Sequence, residues 1–143
     1  MTSAMRACLS ILLVVAPVLS WACRPSGMEH EVLFSPGSST LDAKAAESVA
    51  QWFLNARDRL KVFEIGLFGV APVGDEVAAK RAEARADTIE RLIQSMNTGQ
   101  AKILKAVLER KEPGYSQDLD IVYIESQPGC LKTNTCCPQP LEK

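Results

Sequence analysis

The apolar positions change their period several times between residues 31 and 125, and each change predicts an element. The run E-V-L-F at 31–34 reads as a short strand, stopped by Ser35, Pro36 and Gly37. Leu41, Ala45, Val49, Trp52 and Ala56 then recur at helical spacing, with Phe53 beside them. That spacing predicts an amphipathic helix of about four turns. Ser38, Ser39 and Thr40 offer its caps, and Asp42 lies in its first turn, where the helix dipole favours an acid. Residues 62–68 alternate and predict a second strand. Phe63, Ile65 and Leu67 share one face; Val62, Glu64, Gly66 and Phe68 share the other. Residues 69–74, with Pro72, read as a loop. Trp52, Phe53 and Phe63 are expected in the core.

Asp75 is placed to cap a longer second helix with Ala78, Ala82, Ile89 and Ile93 on one stripe and Leu92 and Met96 adjoining. One polar residue, Arg85, falls inside that stripe. Glu76 with Lys80, and Asp87 with Arg91, stand one turn apart as favourable pairs. Asn97, Thr98 and Gly99 end the helix. Residues 103–109 predict a third strand, with Leu104, Ala106 and Leu108 facing one way and Ile103, Lys105 and Val107 the other. Glu112, Pro113 and Gly114 turn the chain. Residues 119–124 predict a fourth strand, apolar on both faces at Ile121, Val122, Tyr123 and Ile124, which suits a central position. The tail from Gln127 has no periodicity. The predicted order is β-α-β-α-β-β, an α+β domain over 31–126.

The N-terminus follows a different rule. Arg6 is followed by an almost wholly apolar run over 9–19, then by Ser20, Trp21 and Ala22. Basic, apolar, small is the order of a secretory signal, and the run is shorter than the roughly 20 residues that span a bilayer. A signal peptide over 1–22 is expected; an N-terminal core helix, the alternative, is disfavoured by Pro17 and the lack of a polar face. Ala22 before Cys23 fits lipoprotein processing, with Cys23 acylated, although Ser20 and Trp21 depart from the usual pattern. Cleavage after Ala22 without lipid is the other reading. Residues 23–30 then form a short tether. From Cys23 to Val32 is nine steps, at most roughly 30 Å when extended, so an acylated Cys23 would hold the domain close to its membrane.

Export changes the reading of the cysteines. Cys130, Cys136 and Cys137 lie in the tail over 127–143, and an oxidising compartment favours disulfides there. Cys130 can close a small loop onto either Cys136 or Cys137. A metal site is not expected, because paired C-x-x-C knuckles are absent and the chain has 1 His. No cofactor is implied either. Net charge is −1 with Lys and Arg spread among Asp and Glu, so no nucleic-acid partner is expected. The sequence has no G-x-S-x-G, no H-E-x-x-H and no phosphate-cradling glycine loop, which argues against an enzyme. His30 reads as a surface residue.

The order and spacing over residues 32–125 resemble the peptidoglycan-associating C-terminal domain of the OmpA family. V-L-F before a polar turn ending at Leu41 looks like the family's first strand and its F-x-x-x-x-x-x-L opening. K-V-F-E-I-G looks like the strand leading into its G-x-T-D loop. A-K-R-A-E-A-R-A-D-T-I looks like its L-S-x-x-R-A-x-x-V helix, with Arg85 and Ala86 on the R-A pair. The resemblance implies one four-stranded mixed sheet with two helices packed on one face. It also implies a location in the periplasm or at the outer membrane of a Gram-negative bacterium.

In that family an Asp after the second strand and the helix Arg grip the diaminopimelate of peptidoglycan: a carboxylate for the ammonium, a guanidinium fork for the carboxylate. Arg85 is the counterpart of the Arg. At the place of the Asp the chain has Gly69 or Val70, and the family's paired arginines are replaced by Gln117, Asp118 and Leu119. Asp75 is the nearby acid that could substitute; helix capping is its other role. Arg85 either keeps a carboxylate-binding role, pairs with an acidic side chain or a strand-end carbonyl, or reaches past the core into water with its stem buried. The expected function is therefore a non-enzymatic envelope module of this fold, structural or interaction-mediating, with envelope proteins as partners and peptidoglycan as a weak contact. The alternatives are a genuine wall anchor through Arg85, and a secreted, disulfide-stabilised binding protein.

Overall fold

The computed structural model describes residues 25–98, 100–111 and 120–136. The signal peptide, Cys23, the turn at 112–114, residues 117–119 and Cys137 lie outside the described residues. Four strands and three α-helices follow one another as β1 (Glu29–Leu33), α1 (Ala43–Asn55), β2 (Glu64–Pro72), α2 (Glu76–Met96), β3 (Lys102–Arg110), β4 (Ile121–Gln127) and α3 (Cys130–Thr133). The strands form one sheet in the order β1-β4-β2-β3. β4 lies between β1 and β2 and is antiparallel to both, while β3 runs parallel to β2. The central position expected for β4 is observed. Val122 and Ile124 are fully buried on one face, and Ile121 is buried on the other.

Both long helices lie on one face of the sheet. Val49, Trp52 and Phe53 of α1 and Ala86, Ile89 and Ile93 of α2 pack with Val32, Ile65, Leu67, Val122 and Ile124 into one core. Trp52 is largely buried, and its indole N–H finds a partner there by donating to the Gly27 carbonyl at 3.0 Å. Phe63 is only half-buried, and the Lys132 ammonium of the tail sits 4.1 Å from its ring centroid.

Several elements differ from the pattern. β1 begins at Glu29, so residues 29 and 30 of the expected tether belong to the sheet. Asp42, not the serines before it, caps α1 by accepting from the Ala45 N–H at 2.7 Å. α1 then runs on through a π turn over Ala56–Leu60, which ends at Lys61 in the left-handed region (φ 51). β4 begins at Ile121 and ends at Gln127. Asp87 turns to Lys105 of β3 rather than to Arg91, and Glu90 joins it there. This ties the β3 edge to α2.

The largest departure is β2. It continues through Gly69, Val70 and Ala71 to Pro72, where a loop was expected. The extension is held by β3, which pairs with it along its whole length from Glu64 to Pro72. Pro72 stands at the last position, where a missing N–H interrupts no further ladder. Gly69 lets α2 settle onto the strand: a Cβ there would lie 2.7 Å from the Ala82 carbonyl oxygen.

Candidate functional site

Arg85 is the one large charged side chain within the apolar stripe of α2, and its side chain is 2% exposed. Burying a guanidinium requires partners for its donors. Its Nε donates to the Ser38 carbonyl at 2.7 Å, and its Nη2 to Asp120 Oδ1 at 2.6 Å. The Phe34 ring lies beneath it, 5.3 Å from ring centroid to guanidinium carbon. One turn on, the Thr88 hydroxyl donates to the Ser39 carbonyl at 2.9 Å. The Phe34 N–H donates to the Asp120 carbonyl at 2.8 Å. Arg85 thus joins three pieces of chain: α2, the loop from β1 to α1, and the residue before β4. Pairing with an acidic side chain was one of the three fates the sequence left open; the carbonyl comes from the loop after β1 rather than from a strand end, and the side chain does not reach water. Asp120 carried no separate signal, because the pattern put it inside the fourth strand over 119–124.

Asp75 caps α2 as expected, accepting from the Ala78 N–H at 2.9 Å. Ten residues of helix separate it from Arg85, about 15 Å along the axis, so the two do not meet. The two positions that stand where the family has its Asp are also accounted for. Gly69 faces α2, with no room for a side chain, and Val70 points to the opposite face of the sheet by alternation.

In the tail, Cys130 is bonded to Cys136. The Gly129 N–H donates to the Leu60 carbonyl at 2.9 Å, which docks this small loop on the π turn. Among the described residues no group of three His, Cys, Asp or Glu could hold a metal ion, and no helix is long and apolar enough to cross a membrane.

His30 is not a free surface residue. It stacks on Trp52, with centroids 5.9 Å apart, and its Nε2 is 3.1 Å from Ser48 Oγ. Among the described residues nothing hydrogen-bonds its Nδ1, so the contact lacks the orienting third group of a nucleophile–base pair. Burial lowers the His30 pKa below its ordinary value, with Glu31 opposing the shift. The unfolded chain therefore binds this proton more readily than the folded one. Stability linked to His30 is complete above about pH 6.5 and declines as the pH falls from there through the folded pKa. His30→Phe, which keeps the stack, is expected to remove that part of the acid sensitivity; the difference in urea midpoint between wild type and variant from pH 7.5 to 5 measures it.

No family model matches the sequence, and no curated protein matches it. Solved structures do. The OmpA-like domain of FopA1 from Francisella tularensis superposes with a TM-score of 0.56 at 20% identity, over 70% of this chain and 72% of that one. The peptidoglycan-associated lipoprotein from Burkholderia pseudomallei gives 0.52 at 14% identity, over 67% of this chain and 86% of that one. A four-stranded mixed sheet with two helices on one face is thus the class of structure. Within it, the described chain has a divergent OmpA-like fold.

Proposed function

We propose that this chain is an exported cell-envelope protein of a Gram-negative bacterium, in which the OmpA-like domain serves as a non-enzymatic structural and interaction module. One observation carries the reading. Arg85, the residue that the resemblance equates with a ligand-gripping arginine, is buried and spends its fork on Ser38 and Asp120. The absent acid supports the same reading, since Gly69 and Val70 give no carboxylate on the side of Arg85. Cleavage after Ala22 leaves Cys23 first. With β1 beginning at Glu29, an acylated Cys23 would have six steps, at most about 20 Å, to the sheet. That reach keeps the domain at its membrane and favours an envelope protein as partner over the wall.

The test is co-sedimentation of the processed chain with peptidoglycan sacculi, beside Arg85→Ala. The chain is expected to remain in the supernatant. Pelleting of the wild type that is lost in a folded Arg85→Ala variant would overturn the reading and make the domain a wall anchor. Mass spectrometry of the same preparation reads the acyl group on Cys23 directly; a mature chain without it, released into the medium, would favour a secreted binding protein.

A further inference from the structure

Both ends of the domain leave it at one corner. β1 enters the sheet where β4 leaves it, with Glu29 opposite Glu125. One residue further out, the Met28 carbonyl accepts from the Ser126 N–H at 2.8 Å and from the Ser126 hydroxyl at 3.1 Å. Beyond that contact the two ends stay together against the π turn. On the N-terminal side, Ser26 and Gly27 line one cleft with Trp52, Arg59 and Leu60, and the Trp52 indole holds the Gly27 carbonyl. On the C-terminal side, the Gly129 N–H donates to the Leu60 carbonyl at 2.9 Å. A Cβ on Gly129 would lie 2.8 Å from the Lys61 carbonyl oxygen, so the tail is pressed close onto the turn. Leu60 thus borders both the stretch leading back to Cys23 and the stretch leading on to Cys137.

The cysteine count gives this convergence a use. A mature chain that begins at Cys23 keeps Cys23, Cys130, Cys136 and Cys137, and the bond from Cys130 to Cys136 leaves Cys23 and Cys137 over. An even set of thiols in an oxidising compartment points to a second pair. The reach is sufficient. Cys23 is three steps from Ser26, roughly 10 Å when extended. Cys137 follows Cys136, whose Cα is 4.9 Å from that of Cys130, and Cys130 follows Gly129. A disulfide asks for Cα atoms about 4.4–6.8 Å apart, and three free steps on one side allow that across a single intervening residue.

We infer that Cys23 and Cys137 form a second disulfide, which staples the two ends of the domain together. The chemistry is thiol–disulfide exchange with a disulfide oxidant of the compartment. The two thiols give up their protons and a pair of electrons; the oxidant's S–S bond breaks into two thiols as the bond between Cys23 and Cys137 forms. This bond and a lipid exclude each other, because both take the Sγ of Cys23. Ser20 and Trp21, which depart from the usual lipoprotein pattern, favour the bond. It presupposes the exported chain proposed above, and it replaces the lipid tether there, so that a protein partner alone holds the domain in the envelope. The bond closes nearly the whole domain into one loop, the case in which a cross-link removes the most freedom from the unfolded chain. It also secures β1, an edge strand of 5 residues whose partner in the sheet is β4.

Peptide mapping tests it. The full chain is expressed with its own N-terminus in a Gram-negative host, free thiols are alkylated on lysis, and tryptic peptides are analysed without reduction. The peptide that begins at Cys23 is expected bound to residues 133–143, with no alkylated cysteine in the mature chain. In Cys137→Ser the Cys23 peptide should come away alone with its thiol alkylated, while residues 133–143 stay bound to Cys130. The same variant should melt about 5–10 °C lower than wild type. A processed wild type whose Cys23 is acylated or alkylated overturns the inference and leaves the export reading standing. So does a Cys23 that remains bonded in Cys137→Ser. A chain that keeps residues 1–22 sinks the export reading, and the second disulfide with it.

Discussion

Asp120→Ala is expected to lower the unfolding free energy by about 3 kcal/mol, the lower end of the range for breaking a buried ion pair by removing one partner. The reason is asymmetric burial. The Arg85 side chain is 2% exposed and that of Asp120 is 19% exposed. Deleting the acid takes a carboxylate from a guanidinium that water cannot reach, held beside the Phe34 ring and the Ser38 carbonyl. Arg85→Met removes the buried charge itself, and the half of the pair left behind is the one that can rehydrate, so its cost should be smaller, about 1–2 kcal/mol. Urea unfolding of both variants reads the order. An Arg85→Met chain that is more stable than wild type would tell the opposite story. Residues kept for a ligand are commonly strained in its absence and gain stability on replacement, and Arg85 would then have to be returned to a binding role.

That comparison bears on what the sequence could and could not reveal. The element order was legible because both periods are clean: the stripe of Val49, Trp52 and Phe53, and the two-sided apolar run at Ile121–Ile124. Arg85 stood out for the same reason, as a charge inside an apolar stripe. Its partner did not, because Asp120 lies 35 residues away and only the fold brings it there. The extension of β2 was hidden by its own residues. Gly69 and Pro72 are loop formers by local propensity, yet nine residues of parallel pairing with β3 outweigh them. The coupling of His30 to Trp52 and Ser48 was invisible for a simpler reason, since His30 precedes the first periodic segment. The disulfide partner of Cys130 was likewise undetermined, because Cys136 and Cys137 close loops of nearly equal length.

Gly69 is where the misread segment and the site meet, and its substitution gives the second large effect. Gly69→Ala is expected to destabilise the chain by about 2–3 kcal/mol, within the range for overpacking a close-packed contact. The added Cβ would lie 2.7 Å from the Ala82 carbonyl oxygen and 2.9 Å from both the Ala82 carbonyl carbon and its Cβ. Two of these atoms are helix backbone, so relief requires α2 to move off the sheet. Ala82→Gly in the same chain should therefore recover little, because it removes only the Cβ. Gly66→Ala is the control. Its Cβ would meet the Phe68 ring at 2.6 Å, but that ring lies on the open face and can swing away, so a cost below about 1 kcal/mol is expected. Equal costs at the two glycines in urea unfolding would mean that α2 does not approach β2 as described. Gly69→Asp, which restores an acid at the family's position, should cost more than Gly69→Ala and create no binding site. An acid large enough to reach Arg85 would first have to displace the helix that carries it.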